Sequence, residues 1–178
     1  MKKSNNIYVA KLGKTVGLKG FLRLFYETDF PEQFNKGSKF TTNKNLTLTV
    51  KEFNKKSNQI QFEEFLDVEK AKILTNQHLY TTIEETRKNC QLKENEFFWF
   101  DLVDCEIVEE NETLGVVTEL HRLPASDYLE VKTNSKLVND GYAKTFLLPH
   151  LFDIYITNVD IDSKKIFTQG AKDILESS

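Results

Sequence analysis

The stretch LTLTV at residues 46–50 alternates apolar and polar side chains, which places its two leucines and its valine on one face of a strand. The pattern IQFE resumes at residues 60–63, after a polar segment at 54–58 that is typical of a hairpin turn. Short apolar runs at residues 7–12 and 21–26 also predict strands. Strands of this length and spacing favour a small all-β barrel over a parallel sheet built with crossover helices.

One helix is predicted within this first half of the chain. Asp67 can cap its first turn, and Val68, Ala71 and Leu74 form an apolar stripe that would pack across one end of the barrel. A further strand is predicted at residues 78–83.

A charged segment that is poor in apolar residues, 84–95, predicts a domain boundary. We therefore divide the chain into an N-terminal domain at residues 1–86, a linker at 87–95 and a C-terminal domain at 96–178.

The second half of the chain resumes short strands. They are predicted at residues 106–109, 114–120, 128–132, 146–149, 154–156, 158–161 and 165–167. Residues 134–142 contain few apolar side chains and are predicted to form a mobile loop, whereas the tail at 171–175 is predicted to be a short helix.

Composition restricts the classes of function. The 178-residue chain has a formal net charge of −3, whereas a protein that binds nucleic acid mainly by neutralising phosphates usually carries a basic balance. Any RNA contact is therefore expected to be local or shared with a protein partner. The N-terminus has no signal-peptide core or membrane span, and Cys90 and Cys105 lack metal-binding spacing, so we expect a cytoplasmic protein without membrane association.

The segment GKTVGLKG at residues 13–20 contains the letters of a phosphate-binding loop. A Walker loop requires a glycine five residues before Gly13 and a helix after Gly20, but a strand follows here. We reject nucleotide binding and predict a tight hairpin connection in which glycines take positive φ. Lys14 and Lys19 would project from this connection as a binding surface.

The segment FFWF at residues 97–100 is the most informative aromatic run. If it is extended, one core would bury two of its rings and leave two for an interdomain seam or a partner. Leaving a Phe in water forfeits roughly 1.5–3 kcal/mol of burial free energy. We expect Trp99 to be buried internally and at least one of Phe97 and Phe98 to contact a partner.

The run of carboxylates at residues 101–112 could in principle bind a metal for hydrolysis or carry out acid–base chemistry. It has no calcium-loop spacing, and a solvated acidic face is the favoured interpretation over a metal-dependent hydrolase. Because His78, His121 and His150 also lack ligand-like spacing, we predict no metal site and no catalytic residue.

Several segments resemble the RimM family of ribosome maturation factors, in order along nearly the whole chain. VAKLGKTVGLKGFLRL at residues 9–24 is similar to the opening of the family, including its glycine pattern, and EFFWFDL at 96–102 is similar to the aromatic entry to its second domain. The other similar segments are residues 29–34, 114–120, 125–131, 147–149 and 159–161. Where the family often has a Tyr-Tyr pair, this chain has Phe97 and Phe98, which keep the apolar area but lack both hydroxyls.

The resemblance implies an all-β protein with two small β-barrels, an N-terminal six-stranded barrel and a C-terminal PRC-type barrel joined by a short linker. It implies binding to the head of the immature 30S subunit, chiefly through ribosomal protein nineteen of the small subunit, and assistance in folding and processing 16S rRNA. It implies no catalytic residue and no cofactor, and we expect a monomer. Ribosomal proteins are strongly basic, so the net acidity of the chain suits such a partner.

The hypothesis is therefore a non-enzymatic, chaperone-like ribosome assembly factor. Phe97, Phe98 and Trp99 would anchor the protein partner, and Lys14 and Lys19 would face rRNA. The alternative is a small β-barrel RNA-binding module that acts without a ribosomal-protein partner. That alternative predicts binding to rRNA alone, with a steep dependence on salt.

Overall fold

A computed structural model describes residues 6–178 of the chain. The chain divides into two compact units, Met1–Gln91 and Leu92–Ser178. The division falls inside residues 87–95, the segment predicted to be a linker, although residues 87–89 belong to a helix. No helix in the described part of the chain is long and apolar enough to cross a membrane.

The first unit is a closed barrel of six strands. Its strands are β1 (Asn6–Val16), β2 (Phe21–Tyr26), β3 (Lys39–Thr42), β4 (Thr47–Asn54), β5 (Gln59–Phe62) and β6 (His78–Thr82), and its helices are α1 (Val68–Ala71) and α2 (Ile83–Asn89), with 3-10 helices at Pro31–Phe34 and Lys72–Leu74. The strands follow one another around the barrel in the order β1-β2-β5-β4-β3-β6, and all neighbouring pairs are antiparallel. The predicted N-terminal six-stranded barrel is confirmed.

The barrel closes around an aromatic centre. Phe34 has no exposed surface, and its ring centroid lies 5.2 Å from that of Phe40 and 5.4 Å from that of Phe53. Leu48 and Val50, predicted to share one face of β4, are both fully buried in the same core. Alternation along the strand therefore directs the apolar side chains inward, as the sequence pattern predicts.

The short helix α1 packs against β1 and β2. Asp67 caps it, because a carboxylate oxygen of Asp67 accepts a hydrogen bond of 2.9 Å from the backbone N–H of Lys70. Ala71 and Leu74 are fully buried in the barrel core. The predicted cap is confirmed, and of the predicted stripe Ala71 and Leu74 are buried, whereas Val68 is half-buried and Leu74 lies in the 3-10 helix that follows α1.

Strand β1 is longer than predicted, because it continues through Gly13 to Val16 before the chain turns into β2. Gly17 and Gly20 have φ values of +68° and +80°, which confirms the prediction of positive φ in this connection. A Cβ atom at Gly20 would also collide with the carbonyl oxygen of Phe65. The turn is therefore held closely against the chain that leads into α1.

The second unit is built on one six-stranded sheet. Its strands are β7 (Glu106–Glu109), β8 (Glu112–Arg122), β9 (Asp127–Thr133), β10 (Thr145–Pro149), β11 (Ile156–Asp160) and β12 (Lys165–Thr168), and its helices are α3 (Trp99–Leu102), α4 (Ser135–Asn139) and α5 (Ala171–Glu176). The strand order is β10-β9-β8-β7-β12-β11, in which β7 and β12 pair in parallel and the other neighbours are antiparallel. The predicted hairpin of β11 with β12 and the predicted helical tail are confirmed.

Three segments of the second unit differ from the sequence predictions. Residues 97–100 are not extended throughout, because the helical turn α3 begins at Trp99. Helix α4 lies inside the predicted mobile loop, and Asn134 caps it, because its side-chain oxygen accepts a hydrogen bond of 3.0 Å from the backbone N–H of Lys136. Residues 154–155 form a turn before β11 instead of a strand. The first two differences involve helices of a single turn. Such short helices cannot be predicted from the alternation of apolar and polar residues.

Both cysteines are buried free thiols. Burial raises the pKa of the Cys90 thiol to about 11, and the nearby Glu32 carboxylate contributes to this increase. Burial also raises the pKa of the Cys105 thiol. With a raised pKa, both thiols stay protonated at neutral pH. Because the thiolate is the reactive form, both side chains are therefore unreactive in the folded chain.

Phe34→Ala should lower the free energy of unfolding by about 3–5 kcal/mol, because it removes a fully buried ring and leaves a cavity among Phe40 and Phe53. Ile73→Ala is the control, since Ile73 is 57% exposed and its truncation should change stability by about 0.5 kcal/mol or less. Urea unfolding followed by far-UV circular dichroism measures both. A similar, small loss in the two variants would contradict a core organised around Phe34.

Candidate partner-binding surfaces

The aromatic segment at residues 97–100 distributes its rings between the interior and the surface. Phe97 is partly buried against the core of the second unit, and its ring stacks on that of Phe152 with a centroid distance of 5.9 Å. Phe98 is only 5% exposed and stacks on Phe100 at 5.1 Å. Trp99 is 44% exposed and meets the edge of Phe100 at 5.7 Å.

The structure therefore reverses part of the expected distribution. Trp99, expected to be buried internally, is the ring with the large exposed area, whereas Phe98 has almost no accessible surface. Phe98 precedes α3 and has an extended backbone, so its side chain and that of Trp99 fall on different sides, with Phe98 on the buried one. Of the three predicted anchors, Trp99 offers the most surface and Phe97 offers a part of its ring.

A histidine supports the inner side of this aromatic surface. His150 meets the edge of Phe152 at a centroid distance of 5.6 Å, and Phe152 in turn stacks on Phe97. Burial lowers the pKa of the His150 imidazole, although the carboxylate of Asp127 opposes this shift. The imidazole is therefore neutral at pH 7 and packs as part of an apolar cluster.

The carboxylates of residues 101–112 are not a uniform solvated face, which corrects the favoured interpretation. Asp101 is 8% exposed. The carboxylate of Glu109 accepts a hydrogen bond of 2.7 Å from the backbone N–H of Ala171 and thereby fixes the start of α5. Glu112 forms an ion pair of 2.7 Å with Lys172. Part of the acidic run is therefore engaged in contacts within the second unit.

The two units carry opposite net charges. Residues 1–91 contain 16 Lys and Arg against 10 Asp and Glu, which gives a formal charge of +6. Residues 92–178 contain 8 Lys and Arg against 17 Asp and Glu, which gives −9. The total of −3 conceals this division into a basic first unit and an acidic second unit.

Lys14 and Lys19 are both exposed and belong to the basic unit, but they do not lie on one loop. Lys14 is part of β1, which corrects the prediction that both lysines project from the hairpin connection, and Lys19 lies in the turn. The turn is fixed by hydrogen bonds from the Gln61 side-chain amide to the carbonyl of Lys19 and from the Val68 N–H to the carbonyl of Leu18, the latter at 3.1 Å. Leu18, which sequence reasoning did not single out, is 82% exposed beside Lys19.

A mixed histidine–carboxylate group lies on the sheet of the second unit. Nε2 of His121 on β8 is 2.6 Å from a carboxylate oxygen of Glu130 on β9, and Glu119 lies within 4.8 Å of both ligand atoms. It is the single group of three potential metal ligands within residues 6–178. Sequence spacing could not find it, because Glu130 reaches the other two only through the register of β8 with β9.

Comparison with known proteins identifies relatives along the whole chain. A family model described as the RimM N-terminal domain matches residues 7–86, and one described as the RimM PRC barrel domain matches residues 99–174. A ribosome maturation factor RimM from Aliarcobacter butzleri is 57% identical over 178 residues and is covered completely, as is this chain. RimM proteins from Sulfurimonas denitrificans and Campylobacter concisus are 47% and 43% identical, covering 99% and 98% of this chain and 99% of each relative.

Phe98→Ala should lower the free energy of unfolding by about 3 kcal/mol or more, because Phe98 is buried and stacked on Phe100. Trp99→Ala should change stability by about 1 kcal/mol or less, because nearly half of its side chain is already in water. Thermal and urea unfolding of both variants measure the difference. A loss in Trp99→Ala as large as that in Phe98→Ala would show that the exposed ring is a core element.

Proposed function

The chain belongs to the RimM family, and on that premise we propose that it is a ribosome maturation factor that binds the head of the immature 30S subunit and assists the folding and processing of 16S rRNA. The observation that carries this proposal is the similarity to RimM proteins over the full length, with both domain models matched in order. Binding the form of the head that is competent for assembly would favour that form by differential affinity.

The second unit is the proposed site for the protein partner, ribosomal protein nineteen of the small subunit. Ribosomal proteins are strongly basic, and the formal charge of −9 on residues 92–178 supports fast association with such a partner. Trp99 is the proposed central anchor because exposed tryptophans that become buried often dominate binding free energy. Phe97, which is partly buried against Phe152, is a second proposed contact, and Phe98 stacks on Phe100, the ring that Trp99 also meets.

The first unit is the proposed site for rRNA. Its formal charge of +6 supports contact with phosphates, and the exposed Lys14 and Lys19 stay candidates for such contacts. This division of labour also explains how a chain that is acidic in total could contact RNA.

We propose binding, and not catalysis, as the mode of action, without a cofactor or a metal and with a monomer as the acting species in the cytoplasm. The family similarity supports this mode, since the relatives are named as maturation factors. The basic first unit and the acidic second unit would be sufficient for a chaperone-like role, because each could bind a partner of opposite charge without any chemical step.

The charge division also favours one competing function. A basic barrel could act as an RNA-binding module without any ribosomal-protein partner. The two functions differ in the role of the acidic second unit. A protein that acted only as an RNA-binding module would have no ligand for that unit.

Trp99→Ala should weaken binding to purified ribosomal protein nineteen by tenfold or more, which corresponds to about 1.4 kcal/mol. Leu147→Ala is the matched control, because Leu147 is an apolar side chain of the same unit with the same 44% exposure. Isothermal titration calorimetry of the full chain measures both variants, with 16S rRNA as a second ligand.

Loss of affinity for the protein in Trp99→Ala but not in Leu147→Ala supports the proposed site. Equal affinity of wild type and Trp99→Ala would reject Trp99 as the anchor. Binding of the wild type to rRNA alone would reject the protein partner and favour the RNA-binding module.

A further inference from the structure

Aromatic side chains lie on the outer face of three adjacent strands of the barrel, β2, β1 and β6, and β3 continues this face on the other side of β6. We propose that this face, which we name the aromatic face, is a stacking platform for the unpaired bases of single-stranded RNA. Its members are Phe25, Tyr8, His78 and Tyr80, with Lys11 and Lys39 as the basic side chains beside them. The proposal rests on the proposed function, because it names the surface and the form of RNA that the basic unit would bind.

The strand register places these side chains together on the outside of the barrel. Leu79, between His78 and Tyr80 in β6, is fully buried, so its two neighbours point outward. Lys11 of β1 pairs with Phe25 of β2 on one side and with His78 of β6 on the other. One row across three strands therefore reads phenylalanine, lysine, histidine.

A second row lies next to the first. Tyr8 of β1 pairs directly with Tyr80 of β6, and Tyr80 pairs with Thr41 of β3. The Tyr8 ring meets the edges of both neighbours, at centroid distances of 5.9 Å to Tyr80 and 5.4 Å to His78. Three rings from two strands thus form one continuous aromatic surface.

Phe25 is the most exposed ring of the face, at 55%, and core packing does not account for it. Its Cε2 atom lies 2.7 Å from the position that a Cβ would occupy at Gly13. Any larger residue at Gly13 would therefore displace the ring. The absence of a side chain at Gly13 lets the ring lie close against β1, with the rest of the ring in solvent.

Two lysines lie beside the rings of the aromatic face and could contact phosphates. Lys11 is exposed between Phe25 and His78, and Lys39 lines a cleft of about 180 Å³ together with Tyr80. Two carboxylates oppose them. Glu85 lines the same cleft but accepts a hydrogen bond of 3.2 Å from Asn89, and Glu27 lies near Tyr8.

The dimensions and chemistry favour single-stranded RNA over a duplex. Three interstrand spacings of about 4.8 Å give the face a width of roughly 14 Å, which is enough for two or three stacked bases. Bases stack on aromatic side chains only when they are unpaired and splayed out, as in loops and ends of RNA. Lysines beside the rings would contact the phosphates of the same strand.

The test measures binding of the full chain to a fluorescein-labelled 12-nucleotide single-stranded RNA of mixed sequence, by fluorescence anisotropy at low salt. Phe25→Leu and Tyr80→Leu keep apolar volume but remove the ring, and each should weaken binding about fivefold or more, because one stacked base contributes at least about 1 kcal/mol. Phe25→Tyr and Tyr80→Phe retain a ring and should bind within about twofold of wild type. Circular dichroism melting of each variant verifies that it is folded.

A charge series tests the lysines independently of the rings. Lys11→Gln should reduce the slope of log affinity against log salt by about 1, the effect of losing one phosphate contact. Lys144→Gln makes the same charge change on an exposed residue of the acidic unit and should leave the slope unchanged.

The following results would overturn the proposal: leucine variants that bind like wild type, a 12-base-pair duplex bound as tightly as the single strand, or no binding of the single strand by wild type. If Phe25→Leu weakened the calorimetric affinity for ribosomal protein nineteen and left RNA binding unchanged, the aromatic face would be a protein-binding surface. Wild-type binding to ribosomal protein nineteen without binding to RNA would reject the platform and leave the proposed protein interaction intact.

Discussion

Alternation of side chains along β-strands is the constraint on which the barrel depends. Each strand of the first unit has one inward face, and the residues on it fill a core centred on Phe34. The inward-facing residues of six short strands are enough to fill that core. The outward-facing residues are therefore not needed for core packing and can bind other molecules. The same register that buries Leu79 and Phe40 therefore presents Tyr80 and Lys39 to solvent.

Much of the fold could be predicted from the sequence because period-two patterns are local. The clean alternation at residues 46–50, the cap at Asp67 and the hairpin of β11 with β12 all lie within a few residues of their own signals. The helical turn α3 could not be predicted in this way. Phe and Trp favour strands on average, and the turn at Trp99 depends on how Phe97, Phe98 and Phe100 pack in the folded unit.

The candidate surfaces were less accessible to sequence reasoning than the fold. The predicted anchors Phe97, Phe98 and Trp99 are adjacent in sequence, yet they differ widely in exposure, and only Trp99 belongs to α3. The opposite charges of the two units were present in the sequence but hidden by a total of −3. The His121–Glu130 pair and the pairing of Tyr8 with Tyr80 required strand register, which joins residues that are distant along the chain.

The burial of both native thiols has a practical consequence for physical studies of this protein. Cys90 and Cys105 are protonated and enclosed in the folded chain, so a maleimide dye has no reactive native target at neutral pH. A single cysteine introduced at an exposed position would therefore be labelled selectively while the two native residues stay in place. The natural sequence is thus already suited to site-specific spectroscopic probes, without the cavity-forming substitutions that removal of buried cysteines would entail.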